Sequence, residues 1–178
     1  MISLISPSKL LDDFIEGYLV IEGNAKQIFG GNDYTVDFSE TAGFFFNCGG
    51  NCYKYDANNN KEKLPKSGIH GIYTERFSYH FEQNIKLIFV ILKPDIQLNN
   101  LQISAKNLVN SYATLGEAFG STFRIIEGKV TNCTSLEQRL NTIEEFLFEA
   151  LIPIQKKSNS NNLLHQILQK TWPQHKLS

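Results

Sequence analysis

The stretch FSYHFEQNIKLIFVILKP, residues 77–94, indicates the fold class. Residues 77–82 alternate between apolar and polar side chains, which is the pattern of a strand with one solvent-facing side. Residues 86–92 are almost continuously apolar and precede a Lys-Pro pair, which is typical of a strand covered on both faces. We expect the two parts to pair as a β-hairpin across residues 83–84 and to set a mainly β architecture.

The first half of the chain reads as a series of short strands separated by glycine- and asparagine-rich turns. The 178 residues include 13 Phe and 7 Tyr, and aromatic residues favour strands. Short strands at close spacing are the signature of an antiparallel barrel or sandwich. We therefore predict an α+β, mainly β fold, an antiparallel cupin-like barrel or sandwich followed by C-terminal helices. The predicted strands before the hairpin cover residues 18–22, 34–38, 44–47, 53–55 and 69–74.

The hydrophobic period changes to that of a helix after residue 94. Residues 115–126 place apolar side chains at helical spacing, although two glycines interrupt them. A stronger helix begins at a predicted capping box, Thr134 with Glu137, and runs to Leu151. We predict that its apolar stripe contributes to a homodimer interface; packing against the chain's own barrel is the alternative. The predicted interface residues are Leu136, Leu140, Ile143 and Leu147.

The sequence divides into three parts. Residues 1–153 form a predicted N-terminal β-rich domain with its C-terminal helices. Residues 154–162 are rich in Lys, Ser and Asn, which is typical of a linker. Residues 163–178 start another amphipathic helix.

The overall charge, the cysteine count and the lack of long apolar runs indicate which partners and which location to expect. Seventeen Lys and Arg residues against 18 Asp and Glu give a formal net charge of −1. A protein that binds the phosphate backbone usually carries a basic surface, so we do not expect this chain to bind nucleic acid by itself. Its three cysteines are an odd number, and neither a leader nor an apolar run of membrane-spanning length is present. These features predict a cytoplasmic protein with no membrane association.

The aromatic residues on the predicted strands are candidates for a small-molecule pocket. Side chains that face the interior of a barrel can line a cavity, although an aromatic stripe is more often simple core. The predicted pocket residues are Tyr18, Phe45, Asn47, Tyr79 and Phe89.

Three patterns resemble catalytic or metal sites, and each departs from the chemistry it would need. Cys48 and Cys52 are one residue too far apart for a cysteine-protease signature and lack a second ligand pair for zinc. A cupin-like metalloenzyme would need several His residues and a carboxylate inside the barrel. His80 is expected on the polar face of its strand, and His70 stands alone. We therefore expect no enzyme, no catalytic residue and no cofactor; a cupin-like metalloenzyme and a stand-alone binding module remain alternatives.

A series of short motifs resembles a known family. In order along the chain they are PSKL (7–10), FIEGY (14–18), IEG (21–23), FFN with a following glycine (45–49), Gly71 with Thr74, the strand that ends in Lys93-Pro94, and TLGEAFG (114–120). Together they resemble the N-terminal domain of one branch of AraC-type bacterial transcriptional regulators. The resemblance covers about residues 7–151, and departures at Leu19, at residues 37–40 and after Pro94 indicate a divergent member.

The resemblance implies that sensing and DNA binding are carried by separate domains. In such regulators the N-terminal domain senses an effector or dimerises, and a C-terminal pair of helix-turn-helix units reads DNA in the major groove. The resemblance therefore implies that residues 1–153 are an effector and dimerisation domain, forming a homodimer and binding an unknown small-molecule effector. It also implies that residues 163–178 are the start of a truncated helix-turn-helix region, with DNA bound only through a C-terminal domain that this sequence does not include. A ligand in the interior would act by shifting the helices around residues 134–151.

Overall fold

The computed structural model describes residues 1–82, 84–94, 96, 98 and 101–152. Two antiparallel sheets and a group of helices account for most of them. The strands are β1 (Ile2–Ile5), β2 (Ile15–Asn24), β3 (Asp33–Val36), β4 (Gly43–Asn47), β5 (Cys52–Tyr55), β6 (Lys61–Lys63), β7 (Ser67–His70), β8 (Phe77–Phe81), β9 (Asn84–Leu92) and β10 (Tyr112–Thr114). The α-helices are α1 (Ala25–Phe29), α2 (Leu115–Phe119), α3 (Arg124–Asn132) and α4 (Leu136–Leu151), and two short 3-10 helices span Ala105–Leu108 and Ser121–Phe123.

The two sheets form a sandwich. The large sheet has six strands in the order β1-β2-β9-β4-β7-β10, and the small sheet has four in the order β3-β8-β5-β6. One apolar cluster fills the space between the sheets, and a second joins the outer face of the large sheet to helices α2, α3 and α4. The predicted fold class, mainly antiparallel β followed by C-terminal helices, is confirmed in its sandwich form.

Strand β9 lies inside the large sheet and is covered on both faces, as its continuous apolar sequence predicted. Ile88, Val90 and Leu92 belong to the cluster with the helices. Ile85 and Leu87 belong to the cluster between the sheets. The side chains alternate because successive residues of a strand point to opposite faces.

The predicted β-hairpin of residues 77–94 is wrong, although both of its strands exist. Strand β8 pairs with β3 and β5 in the small sheet, whereas β9 pairs with β2 and β4 in the large one. The chain therefore crosses from one sheet to the other between Phe81 and Asn84. The sequence patterns give the physical reason. Strand β8 has one apolar face, which suits an outer sheet, whereas β9 has two apolar faces, which suit a layer covered on both sides.

The helical part departs from the prediction at its boundaries. Residues 115–126 are broken at Gly120, whose φ of 97° is unfavourable for other residues. Helix α4 begins one residue later than predicted, because Ser135 is its N-cap and accepts a hydrogen bond from the Gln138 N–H. The predicted pair of Thr134 and Glu137 is replaced by Thr134 and Gln138. The end of the helix at Leu151 is confirmed.

A buried carboxylate ties α4 to the large sheet. Glu144 is 2% exposed and its Oε1 accepts hydrogen bonds from the Tyr18 hydroxyl at 2.9 Å and from the Ser8 N–H at 3.0 Å. Tyr18 lies on β2, so these bonds join the helix, the central part of the sheet and the N-terminal turn. Burial and the neighbouring carboxylate raise the pKa of Tyr18 and keep its phenol protonated.

The predicted linker at 154–162 and the predicted helix-turn-helix start at 163–178 lie outside the described residues. Within the part of the chain that the structure describes, no helix combines the length and apolar character needed to cross a membrane.

Candidate functional site

The space between the sheets has a tightly packed half and a half that remains partly accessible. On the inner face of β9, Ile85 and Leu87 are each 2% exposed, whereas Phe89 and Ile91 retain partial exposure. Leu19, which pairs with Phe89 in the neighbouring strand, is also partly exposed. Side chains in the middle of a covered sheet are normally buried, so this half of the interior is the more accessible of the two.

The small sheet shows the same division. Cys52 and Phe81 are cross-strand partners and are 1% and 4% exposed. The next inward-facing pair along the same strands is Lys54 and Tyr79, and Tyr79 is partly exposed. We call the accessible region the open half of the interior, defined by Leu19, Lys54, His70, Tyr79, Phe89 and Ile91.

A continuous series of aromatic rings lines the open half from one sheet to the other. The centroid of Tyr79 lies 5.2 Å from that of Phe77, which lies 4.2 Å from Tyr73. Tyr73 stacks on His70 at 6.0 Å, and His70 meets Phe89 edge-on at 6.2 Å. The contacts fix the side chains relative to one another and give the site a rigid aromatic wall.

Lys54 is the most unusual residue of this region. Its side chain lies on the inner face of β5 and the residue is only 7% exposed. Its ammonium donates a hydrogen bond to the Asn110 carbonyl at 2.9 Å and lies 4.3 Å from the centre of the Tyr73 ring. Among the described residues it has no carboxylate within ion-pair distance, although buried lysines are usually paired.

The protonation states follow from burial. Burial lowers the pKa of His70, so the imidazole is neutral at pH 7. Burial likewise raises the pKa of the Tyr73 and Tyr79 phenols, which stay neutral. Burial lowers the pKa of Lys54, and the carboxylates Glu62, Asp56 and Glu75 oppose this effect. Lys54 is therefore the source of positive charge in the open half, within the described part of the chain.

The structure brings together three of the five predicted pocket residues. Tyr79 and Phe89 line the open half, and Phe45 faces the same interior, where it is 2% exposed and contacts Tyr112 edge-on at 5.9 Å. Two predictions need correction. Tyr18 points to the other face of the sheet, where it binds Glu144, because it alternates with the inward-facing Leu19.

Asn47 is the second predicted pocket residue that does not line the open half. It is 3% exposed, but its amide holds the turn after β4: Nδ2 donates to the Gly50 carbonyl and Oδ1 accepts from the Gly49 N–H. An asparagine that hydrogen-bonds the backbone two residues on is a turn-forming residue, so Asn47 has a structural role.

The predicted dimer stripe on α4 packs within the chain. Leu140, Ile143 and Leu147 are at most 1% exposed and belong to the cluster between the helices and the large sheet. Leu136 is partly buried against the same cluster. Leu140, Ile143 and Leu147 cannot meet a second subunit while α4 lies on the sheet, because their apolar surface is already buried against the outer face of that sheet.

The candidate metal and thiol residues do not converge. His80 lies on the outer side of β8 and its Nδ1 is 2.7 Å from Asp33 Oδ1, whereas His70 lies inside the sandwich. Cys48 and Cys52 are free thiols, and burial raises the pKa of Cys52 to about 12. No group of three or more His, Cys, Asp or Glu residues within the described ranges has the geometry to hold a metal ion.

Two concavities lie elsewhere on the molecule. One encloses about 10 Å³ between α4 and the strands β2 and β9, and is lined in part by Cys48 and Arg139. The other is an open depression of about 460 Å³ beside the turn that contains Gly49 and Gly50. Neither contains a predicted pocket residue. The first is about the size of one water molecule, and the second is shallow and polar.

Sequence reasoning missed Lys54 as a functional residue. The sequence predicts residues 53–55 as a strand but does not indicate that Lys54 is buried. In the structure Tyr53 faces outward under the exposed Lys61, whose ammonium lies 4.0 Å from the ring centre. The usable signal was the spacing of Cys52 and Lys54, because two residues apart on a strand means the same face.

Comparison with known proteins leaves the family open. No family model matches the chain, and no curated protein matches it. Among solved structures it is similar to the Neisseria meningitidis protein NMB1881, with a TM-score of 0.38 and 10% identity over 52% of this chain and 84% of that one. It is also similar to Fe(II) HppE in complex with substrate, with a TM-score of 0.37 and 14% identity over 51% of this chain and 52% of that one. The resemblance to AraC-type regulators stays a prediction.

Proposed function

We propose that the chain is the ligand-sensing and dimerisation domain of an AraC-type transcriptional regulator whose DNA binding resides in a C-terminal helix-turn-helix domain. The observation that carries the sensing role is the open half of the interior. Phe89 and Tyr79 lie on the inner faces of facing sheets, yet both keep accessible surface. An apolar site with a few converging polar groups is the usual form of a small-molecule pocket.

The large sheet offers a route from the ligand to the helices. On β4, Phe45 faces the interior, whereas the adjacent Phe44 and Phe46 meet Phe146 of α4 at 5.3 and 6.1 Å. A ligand that displaces β4 would therefore move the surface on which α4 packs. The predicted linker follows that helix, so its movement would reposition a DNA-binding unit.

A compound screen on the wild-type protein tests the sensing role. We expect at least one small molecule from a library of neutral, cationic and anionic compounds to raise the melting temperature. Phe89→Trp fills the open half and should abolish the response while circular dichroism shows an intact fold. Phe38→Trp is the control, because Phe38 is 68% exposed.

Two results would overturn the sensing role. One is a library in which nothing raises the melting temperature of the wild type. The other is a Phe89→Trp variant that folds and responds like the wild type, because the ligand would then bind elsewhere.

The regulator assignment has its own test. The genomic sequence after the codon for Ser178 should continue into a basic segment with two helix-turn-helix units. A stop codon directly after Ser178 would contradict the regulator role and leave a stand-alone binding module.

A further inference from the structure

Lys54 shows an imbalance between donors and acceptors. A lysine ammonium has three N–H donors. Here one of them meets the Asn110 carbonyl, and the Tyr73 and Phe77 rings lie 4.3 and 5.2 Å away. The rings stabilise the cation through their electron-rich faces but accept no conventional hydrogen bond. Within the described residues the remaining donors have no oxygen acceptor.

None of the carboxylates around Lys54 forms an ion pair with it among the described residues. Glu62 is its cross-strand partner on β6, and Glu62, Asp56 and Glu75 all act on the ammonium electrostatically. Inside the sandwich it is bordered by the neutral groups Tyr73, Tyr79 and His70. The ammonium therefore has no ion-pair partner on the side that faces the open half.

A second donor points into the same region. Tyr79 is the cross-strand partner of Lys54, and its hydroxyl makes no hydrogen bond to another described residue. Beyond these two groups the wall is apolar, formed by Leu19, Phe89 and Ile91. The arrangement is a positive, donor-rich end joined to an apolar wall.

We propose that the open half binds a small organic carboxylate, whose carboxylate accepts hydrogen bonds from the Lys54 ammonium and the Tyr79 hydroxyl and whose apolar body lies against Phe89, Leu19 and Ile91. The inference rests on the proposed sensing function and specifies the chemical class of its ligand. A carboxylate supplies the missing acceptors and an ion-pair partner, and hydrogen bonds between charged groups are stronger than those between neutral ones.

The test compares matched acids and amides by isothermal titration of the wild-type protein at pH 7. The probes are hexanoate, octanoate, benzoate and phenylacetate, each with its primary amide, which has the same shape without the charge. We expect at least one acid to bind about 10-fold or more tightly than its amide, because hydrogen bonds to a charged group are stronger than those to a neutral one.

Two substitutions test whether Lys54 causes the preference for the acid over its amide. Lys54→Met keeps the length of the side chain and removes its charge, so the ratio between acid and amide should fall to about 1. Lys61→Met is the matched control, since Lys61 also lies over tyrosine rings but on the exposed β6. A Lys61→Met variant should bind like the wild type.

A second readout uses pH and needs no variant. Because burial lowers the pKa of Lys54, the preference for the acid should disappear on raising the pH before a solvent-exposed lysine, with a pKa of about 10.4, would lose its charge. The bound carboxylate raises that pKa again, so proton uptake should accompany binding at the alkaline end of the range.

The outcomes separate this inference from the proposed function. Amides that bind as tightly as their acids, or a folded Lys54→Met variant that keeps the preference, overturn the carboxylate assignment and leave small-molecule sensing in place. If no probe of either series binds, the carboxylate assignment is overturned, and the wider compound screen decides the sensing function independently.

Discussion

At the scale of single residues, the burial of His70 makes the stability depend on pH. Its folded-state pKa lies below the value of about 6.5 for a free histidine, so the unfolded chain takes up the proton first as the pH falls. The contribution of His70 to the free energy of unfolding is complete above a pH of about 6.5. As the pH falls below about 6.5 this contribution decreases, by at most about 1.4 kcal/mol per pH unit for one group.

Urea unfolding at a series of pH values between 7 and 5 checks this prediction. The His70→Gln variant should show a flatter pH dependence than the wild type over that range, even if its stability at pH 7 is lower. Parallel curves for the two proteins would show that His70 is not the group responsible.

The Tyr18 hydroxyl should contribute measurably to stability. Tyr18→Phe removes the donor to the buried Glu144 carboxylate and should lower the free energy of unfolding by about 1.5–3 kcal/mol, as for hydrogen bonds to charged groups. Tyr34→Phe is the control, because Tyr34 is 44% exposed and should change stability by less than about 0.5 kcal/mol. Chemical denaturation of both variants makes the comparison, and equal losses would contradict the assigned role.

Of the five predicted pocket residues, Phe45, Tyr79 and Phe89 face the interior. Tyr18 faces the helices instead, because alternation along a strand does not by itself specify which face is the inner one. Lys54 and Glu144 were out of reach, since their burial depends on tertiary partners that sequence patterns do not specify.

At the scale of elements, the close packing of β4 against β9 depends on a glycine. A Cβ at Gly43 would collide with the backbone oxygen of Val90 on the neighbouring strand, where no side-chain movement relieves the clash. Gly43→Ala should therefore destabilise the protein by more than about 3 kcal/mol.

Gly128 provides the control for that substitution. A Cβ at Gly128 meets nothing within 4 Å, and the residue lies inside helix α3. Gly128→Ala should stabilise the protein by about 0.5–1 kcal/mol. Thermal unfolding of the two variants should shift in opposite directions; a Gly43→Ala variant as stable as the wild type would contradict the described packing.

Element types were easier to predict than their partners. The covered character of β9 and the end of α4 at Leu151 followed from periodicity and from the following proline. The partners of β8 and β9 did not, because a short connection between strands fits both a hairpin and a crossing between sheets. The choice depends on which layer needs each face, which is a property of the whole fold.

At the scale of the whole molecule, the predicted homodimer needs a surface other than the α4 stripe. Strand β1 is at the edge of the large sheet and carries Leu4 and Ile2, which are 68% and 54% exposed. An apolar edge strand can pair with a second copy, and antiparallel pairing of β1 with itself brings no like charges together.

Sedimentation equilibrium tests this interface. The wild type should sediment as a dimer of the 20.2 kDa chain, and Leu4→Lys should yield a folded monomer, because a charge on an edge blocks strand pairing. Ile125→Lys is the control, since Ile125 is 62% exposed on α3. A monomeric wild type at high concentration would rule out the dimer, and a dimeric Leu4→Lys variant would rule out this edge.

The crossings between the sheets limit how the molecule can adapt to guests of different size. The connection from β8 to β9 joins the sheets beside Phe81 and Ile85. At the opposite end, residues 37–42 join β3 to β4 and residues 71–76 join β7 to β8, and Ser39 and Tyr73 hydrogen-bond to each other through their backbones. Because the layers are joined at both ends, bulk added to a guest must extend outward toward the solvent rather than push the sheets apart.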